Sequence, residues 1–318
     1  MPVKKFFKYI YELLGKRVIT VYLLIYFVSL YFIDYDSIIY KFKIQTLNRI
    51  RPLNFNYLVD TWEEHRPFDP AKLKDYIYYY TQVTKAVEGR ADAYGLLGFC
   101  YYKIGETQKS IEAYQESIRI NPEFYWAYHN LAVIYFKAQQ YEKASEIITK
   151  GLRLDVEKTM LSIYNSPQIY LPLVVRGVQK HKIDEPEQFV LDQLEDGFRD
   201  GYLMWVLGYF YLNDYPSTLR AADITLNASL EKKLVFNYYA GLAAYELKQY
   251  ALALKFFEAS IREDDTFADA YHYLGECAKA MGQEKIAAVA QIRAELLKSK
   301  PGYFDVKKLE EGLELKLY

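Results

Sequence analysis

Residues 94–105 read YGLLGFCYYKIG, and residues 271–282 read YHYLGECAKAMG. Each carries Leu-Gly, a cysteine two residues after that glycine, and a second glycine five residues after the cysteine. Self-similarity of this kind constrains the fold more than composition does. A repeated supersecondary unit cannot bury its apolar face alone and has to stack on its own copies. With a 34-residue unit started at Ala91, Tyr94, Leu97, Gly98, Tyr101, Tyr114 and Pro122 fall at positions 4, 7, 8, 11, 24 and 32. Started at Tyr125, the unit places Tyr128, Leu131, Ala132, Tyr135 and Ala144 at 4, 7, 8, 11 and 20. Started at Leu234, it places Gly241, Tyr250, Ala253 and Phe257 at 8, 17, 20 and 24. Started at Ala268, it places Tyr271, Leu274, Gly275, Gly282, Ala287 and Ala294 at 4, 7, 8, 15, 20 and 27.

Small residues at positions 8 and 20 let two helices approach closely, and large ones at 4, 7, 11 and 24 fill the space around them. Ile111, Tyr114 and Ile118 lie on one helical face. Asn121-Pro122 then ends that helix, because a residue before proline avoids the α region. The pattern resembles the tetratricopeptide repeat family, whose unit is a helical hairpin of 34 residues. The resemblance covers 91–158 and 234–301. It implies an all-α fold, a right-handed α-solenoid of tetratricopeptide helical hairpins spanning 70–301. Between the clear units, 201–233 keeps Leu207, Gly208 and Tyr211 at positions 7, 8 and 11, with Pro216 opening its second helix. Residues 159–200 keep none of the signature and read as a diverged hairpin of two helices. An amphipathic helix over 70–88, with Pro70 near its start, is expected to pack on the first unit. Residues 302–318 are expected to form a C-terminal capping helix with one polar face.

The amino terminus reads differently. Residues 1–17 carry five cations, Lys4, Lys5, Lys8, Lys16 and Arg17, against Glu12. Val18 to Ile33 carry no charge, and Asp34 and Asp36 close the stretch. At about 1.5 Å per residue it spans roughly 24 Å, a short transmembrane length. Tyr22, Tyr26 and Tyr31 suit the headgroup region and lengthen the usable span. No small-residue cleavage site follows. The segment 18–36 therefore reads as an uncleaved signal anchor, a single N-terminal transmembrane helix preceding the solenoid; a cleaved signal or a buried helix are the alternatives. The cations before it favour an N-terminus in the cytoplasm and repeats outside it. The expected localisation is a single-pass membrane protein of a bacterial inner membrane. Residues 37–69, with Pro52 and Pro67, read as a connector.

A net charge of −1 gives no footprint for nucleic acid. Cys100 and Cys277 both occupy position 10 and read as small buried packing residues. Several repeats apart, they lie too far from each other for a disulfide. His65, His129, His181 and His272 show no metal-ligand spacing, and no P-loop, dinucleotide or nucleophile-elbow motif occurs. No enzyme activity, cofactor, metal or small-molecule substrate is expected.

In the tetratricopeptide family, the resemblance implies, the first helices of successive units line a concave groove that holds a partner segment. The matching positions here are Phe99 and Tyr102 in the first unit, and Trp126, His129, Asn130, Val133, Phe136 and Lys137 in the second. The diverged unit supplies Tyr202, Trp205 and Tyr209. The last two supply Tyr238, Leu242 and Tyr245, then Asp269 and His272. The set is rich in aromatic rings, which suits an apolar or aromatic protein segment as partner. Some of these rings have an alternative role, packing against the next unit. Asn130 alone stands where family members grip a carboxylate, whereas Gly95 and Phe99 replace the needed Lys and Asn, so no carboxylate clamp is expected. The reading is a membrane-anchored protein–protein interaction scaffold, with an accessory subunit of a bacterial envelope secretion, motility or surface-polymer assembly machine as the alternative.

Overall fold

A computed structural model gives the protein over residues 56–178, 188–228, 233–311, 313 and 315–317. The basic segment 1–17, the expected anchor 18–36, residues 37–55 of the connector and His181 lie outside the described residues. Among the described residues no helix is long and apolar enough to cross a membrane.

The helices are α1 (Tyr57–Glu63), α2 (Pro70–Ala86), α3 (Ala91–Lys103), α4 (Thr107–Ile120), α5 (Tyr125–Lys137) and α6 (Tyr141–Leu152). Then come α7 (Val156–Tyr164), α8 (Pro167–Arg176), α9 (Gln188–Tyr211) and α10 (Tyr215–Asn227). The last are α11 (Lys233–Glu246), α12 (Tyr250–Glu263), α13 (Ala268–Ala280), α14 (Glu284–Lys298) and α15 (Val306–Glu311). Helix α2 begins with Pro70 at its first position, and the Asp69 carboxylate accepts from Ala71 N–H. It packs on α3, as its apolar face predicts. Pro216 likewise sits in the first turn of α10.

The two glycines of the opening stretches have different jobs. Gly98, at position 8, lies where α3 crosses α4, and a Cβ there would meet three atoms of the Tyr114 ring at 2.9 Å. Gly241 faces Phe257 in the same way, and Gly275 faces Ala287 and Ala290. Position 8 of one helix therefore seats against position 20 or 24 of its partner. The second glycine, Gly105 or Gly282, closes the turn between helices at φ +84° or +72°. The other clear units put Gln139 and Lys248 at that place with φ 58° and 59°. The hairpin turn thus demands a left-handed residue, and glycine meets that demand without steric cost. Serines tie the hairpins further: Ser117 Oγ donates to Ala91 O at 2.8 Å and Ser260 Oγ to Leu234 O at 3.3 Å, the same two positions in two units.

The middle of the chain departs from the expected order. α9 is one unbroken helix, so the boundary expected at 200/201 falls inside it. It stacks on α5 and α6 as the next repeat would. Tyr125 OH donates to Gly197 O at 2.7 Å, and its ring stacks on Phe198 at 4.0 Å. Gly201 and Gly208 give Tyr125 and Ser145 room that a Cβ would fill. α7 and α8 are accordingly an excursion from the stack, not a hairpin within it. Of this excursion, α8 crosses to α1, where Arg176 is buried against three carboxylates. Its guanidinium donates to Asp60 at 2.6 Å and Glu64 at 3.2 Å, and also to Glu63.

The expected capping helix over 302–318 is also corrected. Among the described residues of this stretch only Val306–Glu311 is helical, and residues 313 and 315–317 are non-helical. This segment leaves the end of the stack and returns toward α1. The outer face of α14 is left bare, with Ile286, Val289, Ile292 and Leu296 exposed.

Candidate functional site

The concave side is built by α3, α5, α9, α11 and α13, the first helix of each hairpin. The structure divides the expected groove residues among three environments.

At the end nearest α1, Phe99, Trp126 and Asn130 come together. They line an apolar cleft that opens to solvent and holds a void of about 80 Å³. Leu58, Val59 and Trp62 of α1 and Gln168, Ile169 and Leu173 of α8 form its other wall. Phe99 and Trp126 are themselves buried, at 7% and 4% exposure, and give the cleft only an edge. Phe99 sits edge-on to Phe68 at 5.4 Å, and Trp126 to Phe124 at 6.3 Å. Tyr102 stands half-buried at the end of α3, where burial raises its phenol pKa.

In the centre, Tyr202, Trp205 and Tyr209 form a ladder along one face of α9, with ring centroids 6.3 and 6.2 Å apart, all half-buried. Val133 is buried, Phe136 packs edge-on to Tyr141 and Tyr211, and Lys137 is exposed in the last turn of α5. Leu242 is half-buried, while Tyr245 and His272 lie against Tyr273 at 5.5 and 5.2 Å. Tyr238 has a structural place. At 2% exposure it is wedged among Phe257, Phe267 and Tyr273, joining one hairpin to the next.

The third environment is filled by the protein's own segment 303–317. Ala268 N–H donates to Phe304 O at 3.1 Å, and Val306 N–H donates to Asp269 at 2.8 Å. Tyr239 OH and Tyr211 OH both donate to Glu310, at 2.6 and 3.1 Å. Burial raises both phenols above their ordinary range, Tyr211 to about 12, so both stay protonated as donors. Further on, His129 Nε2–H donates to Lys316 O at 2.9 Å and Trp62 Nε1–H to Leu317 O at 2.7 Å. Burial lowers the His129 pKa, keeping the ring neutral. Leu309, Leu315 and Leu317 are buried. Sequence reasoning placed His129 and Asp269 in the groove but missed Trp62, Tyr211 and Tyr239. Tyr211 stands outside the position set that the resemblance supplied, and Trp62 comes from α1, which the repeat pattern does not reach; Tyr239 stands at position 6, the place Asn130 holds in its own unit, and was readable there.

Cys100 and Cys277 are both free and buried. Desolvation raises both thiols, Cys277 to about 11, so neither is a nucleophile at neutral pH.

Comparison with known proteins agrees with this geometry. Two tetratricopeptide repeat family models match, over residues 91–124 and 113–144. Residues 91–144 thus carry the match to the tetratricopeptide repeat. A TPR repeat-containing protein of Methanocaldococcus jannaschii is 28% identical over 154 residues, which are 46% of this chain and 27% of that protein. The protein ycf37 of Pyropia yezoensis is 35% identical over 66 residues, 21% of this chain and 37% of that one. The matched stretches thus span well under half the length of either relative. Among solved structures, YrrB, described as a TPR protein with an unusual peptide-binding site, superposes with a TM-score of 0.50 at 13% identity. The superposition covers 70% of this chain and 93% of YrrB. At that identity the likeness is one of fold.

Proposed function

We propose that this protein is a protein–protein interaction scaffold, held at a membrane by residues 18–36, whose concave surface takes a segment of a partner protein. One observation carries the reading: the apolar cleft between α3, α5, α8 and α1 opens to solvent and is walled by aromatic and aliphatic side chains with Asn130 and Gln168 as polar points. A concave, mostly apolar site with a few convergent polar groups is the usual form of a recognition pocket. Apart from the cleft, the α9 ladder of Tyr202, Trp205 and Tyr209 offers rings that keep part of their surface in water, the type of residue that anchors interfaces. The partner that fits is a segment presenting apolar or aromatic side chains. Tetratricopeptide repeats mediate such contacts in general, and YrrB is described as having a peptide-binding site. The anchor rests on the uncharged run Val18–Ile33 and its cationic flank.

A photo-reactive residue tests the reading at Tyr209 and, on the outer face, at Lys255, which is exposed on α12. In membrane extracts the Tyr209 probe should label one predominant protein that the Lys255 probe does not. Equal labelling from both faces would refute concave-side recognition. Trp205→Ala should lower that capture about tenfold or more while leaving the circular-dichroism melt in place.

A further inference from the structure

The segment 303–317 lies beside the surface proposed for the partner, touching it at Trp62 of the cleft wall and, through Tyr211, at the helix that carries the ladder, and how it is held points to what that side of the protein recognises. It runs against the chain order. Phe304 and Val306 meet α13, Glu310 meets α11 and α9, Lys316 meets α5, and Leu317 meets α1. Past α15, residues 313 and 315–317 are non-helical, and the Lys316 and Leu317 carbonyls accept from His129 and Trp62. Main-chain acceptors taken by fixed side-chain donors bind an extended backbone whatever its side chains. Leucines at 313, 315 and 317 alternate, so an extended chain presents them on one face. Leu315 and Leu317 are buried at 8% and 3% exposure, and Leu313 packs half-buried against the core. Glu310 is received by two phenols that burial keeps protonated.

We propose that residues 303–317 are a resident ligand of the concave surface, and that the partner presents the same chemistry. That chemistry is an extended segment with leucines or similar aliphatic side chains at alternate positions, preceded by a carboxylate for Tyr211 and Tyr239. Such a partner binds when the resident segment leaves. This rests on the proposed function in one respect, that the concave surface is where a partner docks. The tether is short: α14 ends at Lys298, and the exposed residues Ser299–Gly302 lead straight to the docked part. A segment so tethered competes at an effective concentration in the millimolar range, which weakens any external competitor by tenfold or more.

The test uses the full chain, wild type and Leu315→Asp/Leu317→Asp, with a fluorescein-labelled synthetic peptide of residues 303–318 read by anisotropy. The variant should bind the peptide at least about tenfold more tightly than wild type, and a peptide carrying the same two aspartates should bind neither protein. Equal binding to both proteins, or no binding to a variant that melts like wild type, overturns the inference. If the variant does not fold, a protease site placed in the exposed Ser299–Gly302 stretch releases the segment from its tether instead. The cut chain should then exchange in the labelled peptide and the uncut chain should not; a cut chain that takes up no peptide overturns the inference. Tyr209 crosslinking separates this proposal from the one before it. Partner capture equal in wild type and in the Leu315→Asp/Leu317→Asp variant overturns the resident-ligand inference and leaves the docking surface standing. Absence of capture from both, with peptide binding as expected, overturns the docking reading alone.

Discussion

An alanine in place of Gly241 would set its methyl carbon 2.7 to 2.9 Å from three atoms of the Phe257 ring. Non-bonded carbons prefer about 3.5–4.0 Å, so the ring would have to retreat by roughly 0.8 Å. It has nowhere to go. Phe257 is fully buried, stacked on Tyr273 at 5.6 Å and met by Tyr238 at 6.0 Å. Overpacking of this kind costs about 1–3 kcal/mol, whereas replacing a helical glycine by alanine returns about 1 kcal/mol. The expected net loss is about 1 kcal/mol. Gly275→Ala provides the matched comparison. There the Ala287 carbonyl oxygen at 3.3 Å is one tight contact that has to give by a few tenths of an ångström, and the Ala290 methyl at 3.5 Å is an ordinary one, so the strain is far smaller and the propensity gain should prevail. Both substitutions change the unfolded chain alike, so their difference of about 2 kcal/mol reports native packing. Urea titration followed by circular dichroism measures it, and hydrogen exchange should place the Gly241→Ala loss in α11 and α12. Two variants shifting in the same direction by the same amount would refute the claim that position 8 is a close crossing against position 24.

Two further outcomes test the parts that the repeat pattern does not supply. Arg176→Gln removes the guanidinium that Asp60, Glu63 and Glu64 share, while Glu64 keeps its exposed ion pair with Arg66 at 2.7 Å. The carboxylates keep some water, so the expected loss is about 1–3 kcal/mol, seen as faster exchange in α1 and α8 with α13 and α14 unchanged; uniform acceleration would count against a local clamp. His129 gives a pH dependence. Its folded pKa lies below the ordinary 6.5 because it is desolvated, an effect the Lys316 and Gly197 carbonyls and Asp200 offset only in part. Below about pH 6.5 the unfolded chain therefore binds the proton that the folded one refuses, so stability is whole above that pH and falls beneath it. His129→Gln should flatten the slope of melting temperature between about pH 6.5 and 5, and an unchanged slope would place the titration elsewhere.

The repeat was readable because its cause is local. A 34-residue period, a small residue at position 8 and a large one at 24 are written along the chain, and they gave the hairpins at α3–α4, α5–α6, α11–α12 and α13–α14. Helix starts at Pro70 and Pro216 were readable for the same reason, since proline fixes its own φ. Groove positions were less so. A position number says which helix face a ring occupies but not whether a neighbour covers it, and Tyr238 and Val133 are covered while Trp205 keeps part of its surface in water.

By itself, then, the sequence determined the unit: which residues pair within a hairpin, where each turn bends, and that the units must stack. Only the tertiary structure decided what lies between and upon them. α9 runs on as a single helix because its glycines seat on Tyr125 and Ser145, partners more than fifty residues away. α8 crosses to α1 because a buried guanidinium finds its carboxylates there. The segment that read as an end cap lies on the side of the first helices, because its backbone and Glu310 find partners on five separate helices while Leu309, Leu315 and Leu317 are buried. Contacts of that range depend on how the whole stack closes, and no spacing along the chain records them.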